Sequence, residues 1–308
     1  MSNAVIKLSA NKIEEMKGYY AKDLSAKVPP GAVFSAKSNG CTITAYKSGK
    51  VLFQGGNSEV ESSKWGEALA PKEKTESAVA TGSLPSDFAQ WSVIGSDEVG
   101  TGDFFGPMTV VSAYASKEHI PLLKELGVKD SKNLTDTQII AIAKDLIHTI
   151  PYSLLILHND KYNDMQEKGM TQGKMKALLH NKAILNLLDK LDGVKPQGIL
   201  IDQFVEKNTY FKHLQGQKRI QKDDVYFSTK GEGVHISVAA ASIIARYAFL
   251  KEMDKLSAKA GVELPKGAGS HVDVAAAKII RRQGVETLKS ITKWHFANSG
   301  KAMKLAKG

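Results

Sequence analysis

The sequence holds one cysteine, Cys41, in 308 residues, so neither an intrachain disulfide nor a cysteine-built zinc site can form. Among alternating Thr and Ile, Cys41 reads as a small buried hydrophobe rather than a reactive thiol. Aromatics are sparse at 7%, and no apolar run suits a bilayer: the most apolar stretch, 234–250, is broken by His235, Ser237, Ser242 and Arg246. No basic-then-apolar leader pattern is seen, so a soluble cytoplasmic protein with no membrane association is expected. Acidic residues are the scarcer sign, 32 against 42 Lys plus Arg, for a net charge of +10. That excess favours a polyanionic partner such as nucleic acid; a ribosomal or membrane surface would suit it equally. No zinc ligand set, nucleophile triad, ATP loop or internal repeat is found. No obligate protein partner is evident, and monomer is the default.

At 42% hydrophobic and 24% charged the composition is globular, and the length allows two cores. From Asn11, apolar residues at Ile13, Met16, Tyr20 and Leu24 predict an amphipathic helix stopped by Pro29-Pro30-Gly31. Strands centred on 33–34, 42–44 and 51–53 follow, joined by the turn pairs Asn39-Gly40 and Ser48-Gly49. Residues 59–65 add a second helix with Val60 and Trp65 inward. Lysines outnumber acids here, and Lys37, Lys47 and Lys50 beside the turns are candidates for phosphate contact, against the alternative of a plain solvated surface. Residues 1–66 therefore read as an accessory binding module. The Ala, Ser, Thr, Lys and Glu of 67–89 lack hydrophobic periodicity and read as a linker to a second domain, 90–308.

That domain opens on Trp91, Val93 and Ile94, a short strand, followed by Gly95-Ser96-Asp97-Glu98-Val99-Gly100-Thr101-Gly102. Neighbouring side chains of a strand point to opposite faces, so Asp97 and Glu98 can share a site only if the strand stops there; Gly100, Gly102 and Gly106 are expected to stop it. Paired carboxylates at a strand end suit a hard divalent cation, although acids and glycines are also ordinary loop residues. A dinucleotide fingerprint fails, because the glycine spacing is one residue too long and Pro107–Val111 continues as a strand rather than a helix.

Residues 108–115 read as the returning strand of a hairpin. Asp130-Ser131-Lys132 forms a polar loop before a capping box at Thr135, and Lys129 and Lys132 could contact phosphate. Further strands fall at 152–157, 198–202 and 225–228, and helices run through 175–191, 238–253 and from about Ser270. Asp202 ends one strand as a second strand-end carboxylate, and Glu232 stands between glycines before the long helix, at a sheet mouth or at the helix dipole. Trp294, His295 and Phe296 with Lys301, Lys304 and Lys307 either touch nucleic acid or pack the rings and solvate the lysines.

Taken in order, Gly95–Gly102 with Gly106-Pro107, Asp130-Ser131-Lys132, Asp202, and Lys230-Gly231-Glu232 ahead of Ala240–Ala245 resemble the type 2 ribonuclease H superfamily, and within it the ribonuclease HIII family. The resemblance spans residues 91 to about 300. It implies an α/β catalytic domain of ribonuclease H-like fold, a mixed central sheet flanked by helices, behind a smaller α+β N-terminal domain similar to the TATA-binding protein and used to grip substrate. The implied activity is endonucleolytic cleavage of the RNA strand of an RNA/DNA hybrid, leaving 5′-phosphate and 3′-hydroxyl ends. Asp97, Glu98, Asp202 and Glu232 would be the catalytic acids, holding one or two Mg²⁺ or Mn²⁺ ions, while Gly100, Thr101, Gly102, Ser131 and Lys132 would meet substrate. Gly100-Thr101-Gly102 stands where ribonuclease HII has Gly-Arg-Gly, and Glu232 where it has Asp. Both departures favour HIII; the first puts cleavage at a single embedded ribonucleotide in doubt.

Overall fold

The computed structural model describes residues 3–26, 28–29, 32–46, 49–66 and 84–307, which form two compact units on either side of 67–83. Most of the expected linker, Lys47 and Ser48 lie outside the described residues.

The first unit runs β1 (Asn3–Lys7), α1 (Ala10–Tyr19), β2 (Ala32–Ser38), β3 (Cys41–Tyr46), β4 (Lys50–Gly55) and α2 (Ser58–Ser63). Its strands make an antiparallel sheet in the order β1-β4-β3-β2. Asn39 and Gly40 take φ of 49° and 71°, the left-handed pair that a two-residue hairpin needs, and bring Ser38 opposite Cys41. Alternation then sorts the side chains. Ile6, Phe34, Ile43, Val51 and Phe53 turn inward onto Ile13, Met16 and Tyr20, with Cys41 buried among them. On the other face Lys7, Lys37, Lys50 and Gln54 are exposed, and Lys7 stands opposite Lys50 across the β1–β4 pair.

Two expectations for this unit need correction. Helix α1 stops at Tyr19 rather than running through Leu24, because Leu24 makes a β-bridge to Ala36 and follows the sheet. In α2 Val60 is 65% exposed while Glu61 is buried. The reason is polar: the buried Tyr20 hydroxyl donates to Glu61 at 3.0 Å and accepts from the Trp65 indole at 3.1 Å, and Lys64 donates to the same carboxylate at 2.7 Å.

The second unit contains β5 (Val93–Val99), β6 (Met108–Ala115), α3 (Ile120–Glu125), α4 (Asp136–Thr149), β7 (Tyr152–Leu157), α5 (Asn159–Glu167), α6 (Gln172–Lys190), β8 (Gly198–Asp202), α7 (Lys207–His213), β9 (Val225–Ser228), α8 (Ile236–Ala260), α9 (Ser270–Gln283), α10 (Val285–Ser290) and α11 (Ala297–Lys307). The sheet order is β7-β6-β5-β8-β9, antiparallel on the β7–β6–β5 side and parallel through β8 and β9. It is a mixed sheet. Helices α4 and α8 cover one face, burying Ile139, Leu146, Ile243 and Ile244 against Val111 and Ala113. Helix α6 covers the other, with Ile184 and Leu187 on Ile94 and Ile201. The Thr135 capping box forms at the start of α4. Trp294 and Phe296 pack against the cluster that joins α9 and α11, so the rings are scaffold.

Phe88 is 2% exposed and packs on Trp91 and Tyr226. An aromatic buried in this way belongs to the second unit's core, so residue 88 is packed structure rather than linker.

Gly95 fixes how closely α8 approaches β5: a Cβ there would stand 2.2 Å from the Val238 nitrogen and 2.3 Å from the Ser237 carbonyl carbon. Backbone on both sides leaves no side chain to give way. Gly95→Ala is therefore expected to lower stability by about 2 kcal/mol. Gly102→Ala, where a Cβ meets nothing within 4 Å, should change stability by less than ~0.5 kcal/mol. Urea unfolding of the two variants beside the parent checks both.

Candidate active site

Strand β5 does not stop at the acids. It continues through Asp97 and Glu98 to Val99 and breaks only at Gly100, whose φ is 92°. A Cβ on Gly100 would lie 2.3 Å from the Pro107 carbonyl, so glycine is required where the hairpin turns. The consequence is that the pair straddles the sheet. Asp97 points to the α8 face and Glu98 to the α6 face, as strand alternation demands.

On the α8 face Asp97 is 6% exposed; its Oδ1 accepts the Glu98 amide at 2.7 Å, and the Ser242 hydroxyl is a second partner. Burial, followed by the charges of Glu98 and Asp202, pushes its carboxyl well above the usual range. Asp202 ends β8, one strand over, and its Oδ1 accepts the Gly231 amide at 2.7 Å. Burial raises this carboxyl too, with Gly231 opposing and Glu98 adding. Glu232 follows Gly231 in a single 3-10 turn and is buried; its Oε2 accepts the Ser131 amide at 2.7 Å and its Oε1 lies 3.6 Å from the Lys132 ammonium.

On the α6 face Glu98 meets two side chains that sequence patterns do not single out. Lys176 Nζ donates to Oε1 at 2.6 Å, and His180 Nε2 lies 2.9 Å from Oε2. Burial alone would raise Glu98, but His180 and Lys176 outweigh it and hold the carboxyl below its ordinary value. Behind them His180 Nδ1 is 2.7 Å from the Ser96 hydroxyl, which in turn lies 2.9 Å from that of Ser112. The available signal is positional: His180 lies on the helix face of Ala177, Ile184 and Leu187, a polar ring on an apolar stripe.

The Asp130-Ser131-Lys132 loop is tied to α8. Ser131 Oγ is 3.0 Å from Ser242 Oγ, and Arg246 donates to the carbonyls of Ser131 at 2.8 Å and Leu134 at 3.2 Å. The Arg246 guanidinium also grips Asp136 at 2.6 Å, and Lys266 is the second cation on that carboxylate. Thr101 and Gly102 stand at the open end of the hairpin, with the Thr101 carbonyl held by Gln172 at 3.0 Å. Lys37 and Lys50 belong to the other unit, on its exposed sheet face.

The donors are carboxylate oxygens, the ligand type that Mg²⁺ and Mn²⁺ prefer, and their mutual repulsion is what a divalent cation relieves. Among the described residues no three His, Cys, Asp or Glu side chains form a ready-made cation cage. Glu98 is turned to Lys176 and His180, and Glu232 to Ser131 and Lys132. Protein donors thus satisfy the acids singly.

Comparison with known proteins bears on the same residues. A family model described as Ribonuclease HII matches residues 94–299, and one described as Domain of unknown function (DUF3378) matches residues 3–78. Ribonuclease HIII of Bacillus subtilis (strain 168) is 64% identical over 310 residues, covering 99% of this chain and 98% of its own. The chain belongs to the ribonuclease HIII family. Ribonuclease HIII of Bacillus velezensis is 63% identical, with 99% and 98% coverage. Among solved structures, Bst-RNase HIII in complex with Mn²⁺ superposes with a TM-score of 0.71 at 47% identity over 99% of both chains. The ribonuclease H2 of Pyrococcus horikoshii OT3 gives 0.57 at 26% identity, over 70% of this chain and 97% of that one. The second unit has the ribonuclease H-like fold, and the protein is a ribonuclease H.

Crowded, buried carboxylates make the metal-free protein less stable than its packing allows. A carboxyl raised in the folded state is deprotonated earlier in the unfolded chain, so its contribution falls as pH rises above the ordinary carboxylate value of about 4. Asp97→Asn is expected to raise the metal-free stability at neutral pH by about 1 kcal/mol. Thermal unfolding in EDTA checks this, and added Mn²⁺ should stabilise the parent more than the variant.

Proposed function

We propose that the chain cleaves the RNA strand of RNA/DNA hybrids endonucleolytically, leaving 5′-phosphate and 3′-hydroxyl ends, with Asp97, Glu98, Asp202 and Glu232 as its catalytic acids. The observation that carries the assignment of the acids is Asp97. It is buried beside three other carboxylates, against its own electrostatic interest, in a protein whose net charge of +10 otherwise favours polyanions. A pure binding protein has no use for such a cluster facing phosphate.

A bound divalent cation supplies charge neutralisation at the attacked phosphate and lowers the pKa of the attacking water. The chain supplies the rest. The four carboxylates would hold the cation. The Ser242 hydroxyl and the Gly231 and Ser131 amides fix three of them, and Lys176 with His180 fixes the fourth. Lys132, the exposed cation 3.6 Å from Glu232, would meet a phosphate oxygen of the substrate. Gly100, Thr101 and Gly102 would meet the hybrid itself. Gly102 has open space where a side chain would be, so a sugar-phosphate backbone can come close.

The first unit would grip the duplex. Support comes from its exposed sheet face, where Lys7, Lys37, Lys50 and Gln54 stand on one side while the apolar residues face the other. Lysines on a sheet face contact phosphates without reading bases, while ribose 2′-hydroxyls distinguish RNA from DNA. The enzyme would act as a cytoplasmic monomer. Among the described residues no helix is long and apolar enough to cross a membrane.

The deciding experiment is cleavage of a labelled RNA/DNA hybrid beside DNA duplex, RNA duplex and a DNA duplex with one embedded ribonucleotide, in Mg²⁺, Mn²⁺ or EDTA. Metal-dependent cutting confined to the hybrid is expected, and cutting in EDTA would sink the mechanism. Asp97→Asn should bind hybrid yet lose cleavage. Replacing Lys37 and Lys50 by Ala should weaken binding and reduce the slope of log affinity against log salt by about 1 for each phosphate that is no longer neutralised.

A further inference from the structure

Lys293 follows Thr292, which makes a β-bridge to Phe105, and its side chain is fully buried. Its Nζ donates to the carbonyl oxygens of Asp103 at 2.9 Å and Gly106 at 2.6 Å, with that of Pro107 at 3.4 Å. A buried ammonium ordinarily faces a carboxylate. Here the nearby Asp103 carboxylate accepts the Gly267 amide at 2.6 Å, and the cation is met by backbone carbonyls.

All three carbonyls belong to the segment that carries the chain from Gly100-Thr101-Gly102 back to β6. The Pro107 carbonyl is also the wall against which Gly100 turns. Asn159 adds a bond to the Gly106 carbonyl at 2.9 Å, and the Lys293 amide donates to the Phe104 carbonyl at 2.8 Å. A glutamine or asparagine could serve two carbonyls without burying charge; only an ammonium brings three donors to one point.

We propose that Lys293 is a positioning residue: by gathering the carbonyls of Asp103, Gly106 and Pro107, its ammonium sets the shape in which Gly100-Thr101-Gly102 meets the nucleic acid. The inference rests on the assignment of that loop to substrate contact. Burial, opposed by Asp103, pushes the Lys293 ammonium down to about 7. The groups facing it are Asp103, the Tyr162 ring at 5.8 Å, and His295, itself pushed down by burial and by Lys293. As the amine it keeps two donors and no charge, so its hold on the loop weakens as pH rises through about 7.

The test is hybrid cleavage by the full chain carrying Lys293→Met, with Gly102→Val as a second arm. At about pH 6, Lys293→Met is expected to lower kcat/KM roughly tenfold while Mn²⁺ affinity by calorimetry is unchanged. At about pH 8.5 the gap between parent and variant should narrow to about threefold, a dependence that a purely structural role would not produce. Gly102→Val, at a position where a Cβ meets nothing within 4 Å, should also lose kcat/KM. Parent-like kcat/KM in Lys293→Met, with Gly102→Val impaired, overturns the role of Lys293. An unimpaired Gly102→Val overturns the loop assignment beneath it. Should Lys293→Met fail to fold, hydrogen exchange of the Phe104 and Gly106 amides in the parent decides. Protection that disappears between those two pH values, after correction for intrinsic rate, supports the proposal, and unchanged protection refutes it.

Discussion

Repulsion among carboxylates crowded into one poorly solvated corner is the constraint on which the second unit depends. Four acids from β5, the end of β8 and the turn before α8 oppose one another's ionisation, with the Asp97 and Asp202 carboxyls both pushed up, so each must find donors. Each does, and from a different element. Asp97 has the Ser242 hydroxyl of α8, Asp202 the Gly231 amide, Glu232 the Ser131 amide, and Glu98 the Lys176 and His180 side chains of α6. The packing of α6 and α8 on opposite faces of β5 is thus also an electrostatic arrangement. Each carboxylate is thereby oriented by its own protein donor.

The two units handle charge in opposite ways. The first spreads lysines over one face of an antiparallel sheet and hides Glu61, the one buried acid among its described residues, under Tyr20 and Lys64. The second gathers acids in its interior. Clustered positive and clustered negative charge attract one another, and separating them into units with independent cores lets each be packed without compromise.

Much of this is legible in the sequence. The hairpin 93–115, the strand ending at Asp202, the Thr135 cap and the long helix after Glu232 all announce themselves by period, turn residues or caps, and they appear where expected. The four acids stand out by their order along the chain: a pair near the end of one strand, one at the end of another, and one between glycines ahead of the long helix. The end of β5 is harder to place, because glycines after an acidic pair suggest an earlier stop while cross-strand pairing carries the strand to Val99. Lys176 and His180 escape a linear reading because their meaning lies in which face of β5 they oppose, a tertiary fact. Val60 and Glu61 trade places for a similar reason: hydropathy puts valine inside, but the buried Tyr20 hydroxyl requires an acceptor.

Helix α8 carries a consequence for the history of the chain. Over its 25 residues, about 38 Å, it meets Asp97 through Ser242, the Thr109 hydroxyl through the Ala245 carbonyl, Ser131 through Arg246, and the space beside Gly100 and Gly106 through Phe249 and Met253. These contacts share a single screw register. One inserted residue anywhere between Ser242 and Met253 would rotate everything beyond it by about 100° and advance it by about 1.5 Å, disconnecting one end of the site from the other. Substitution can be absorbed along this helix position by position, but a change in its length cannot; length variation has to collect in the loops outside it.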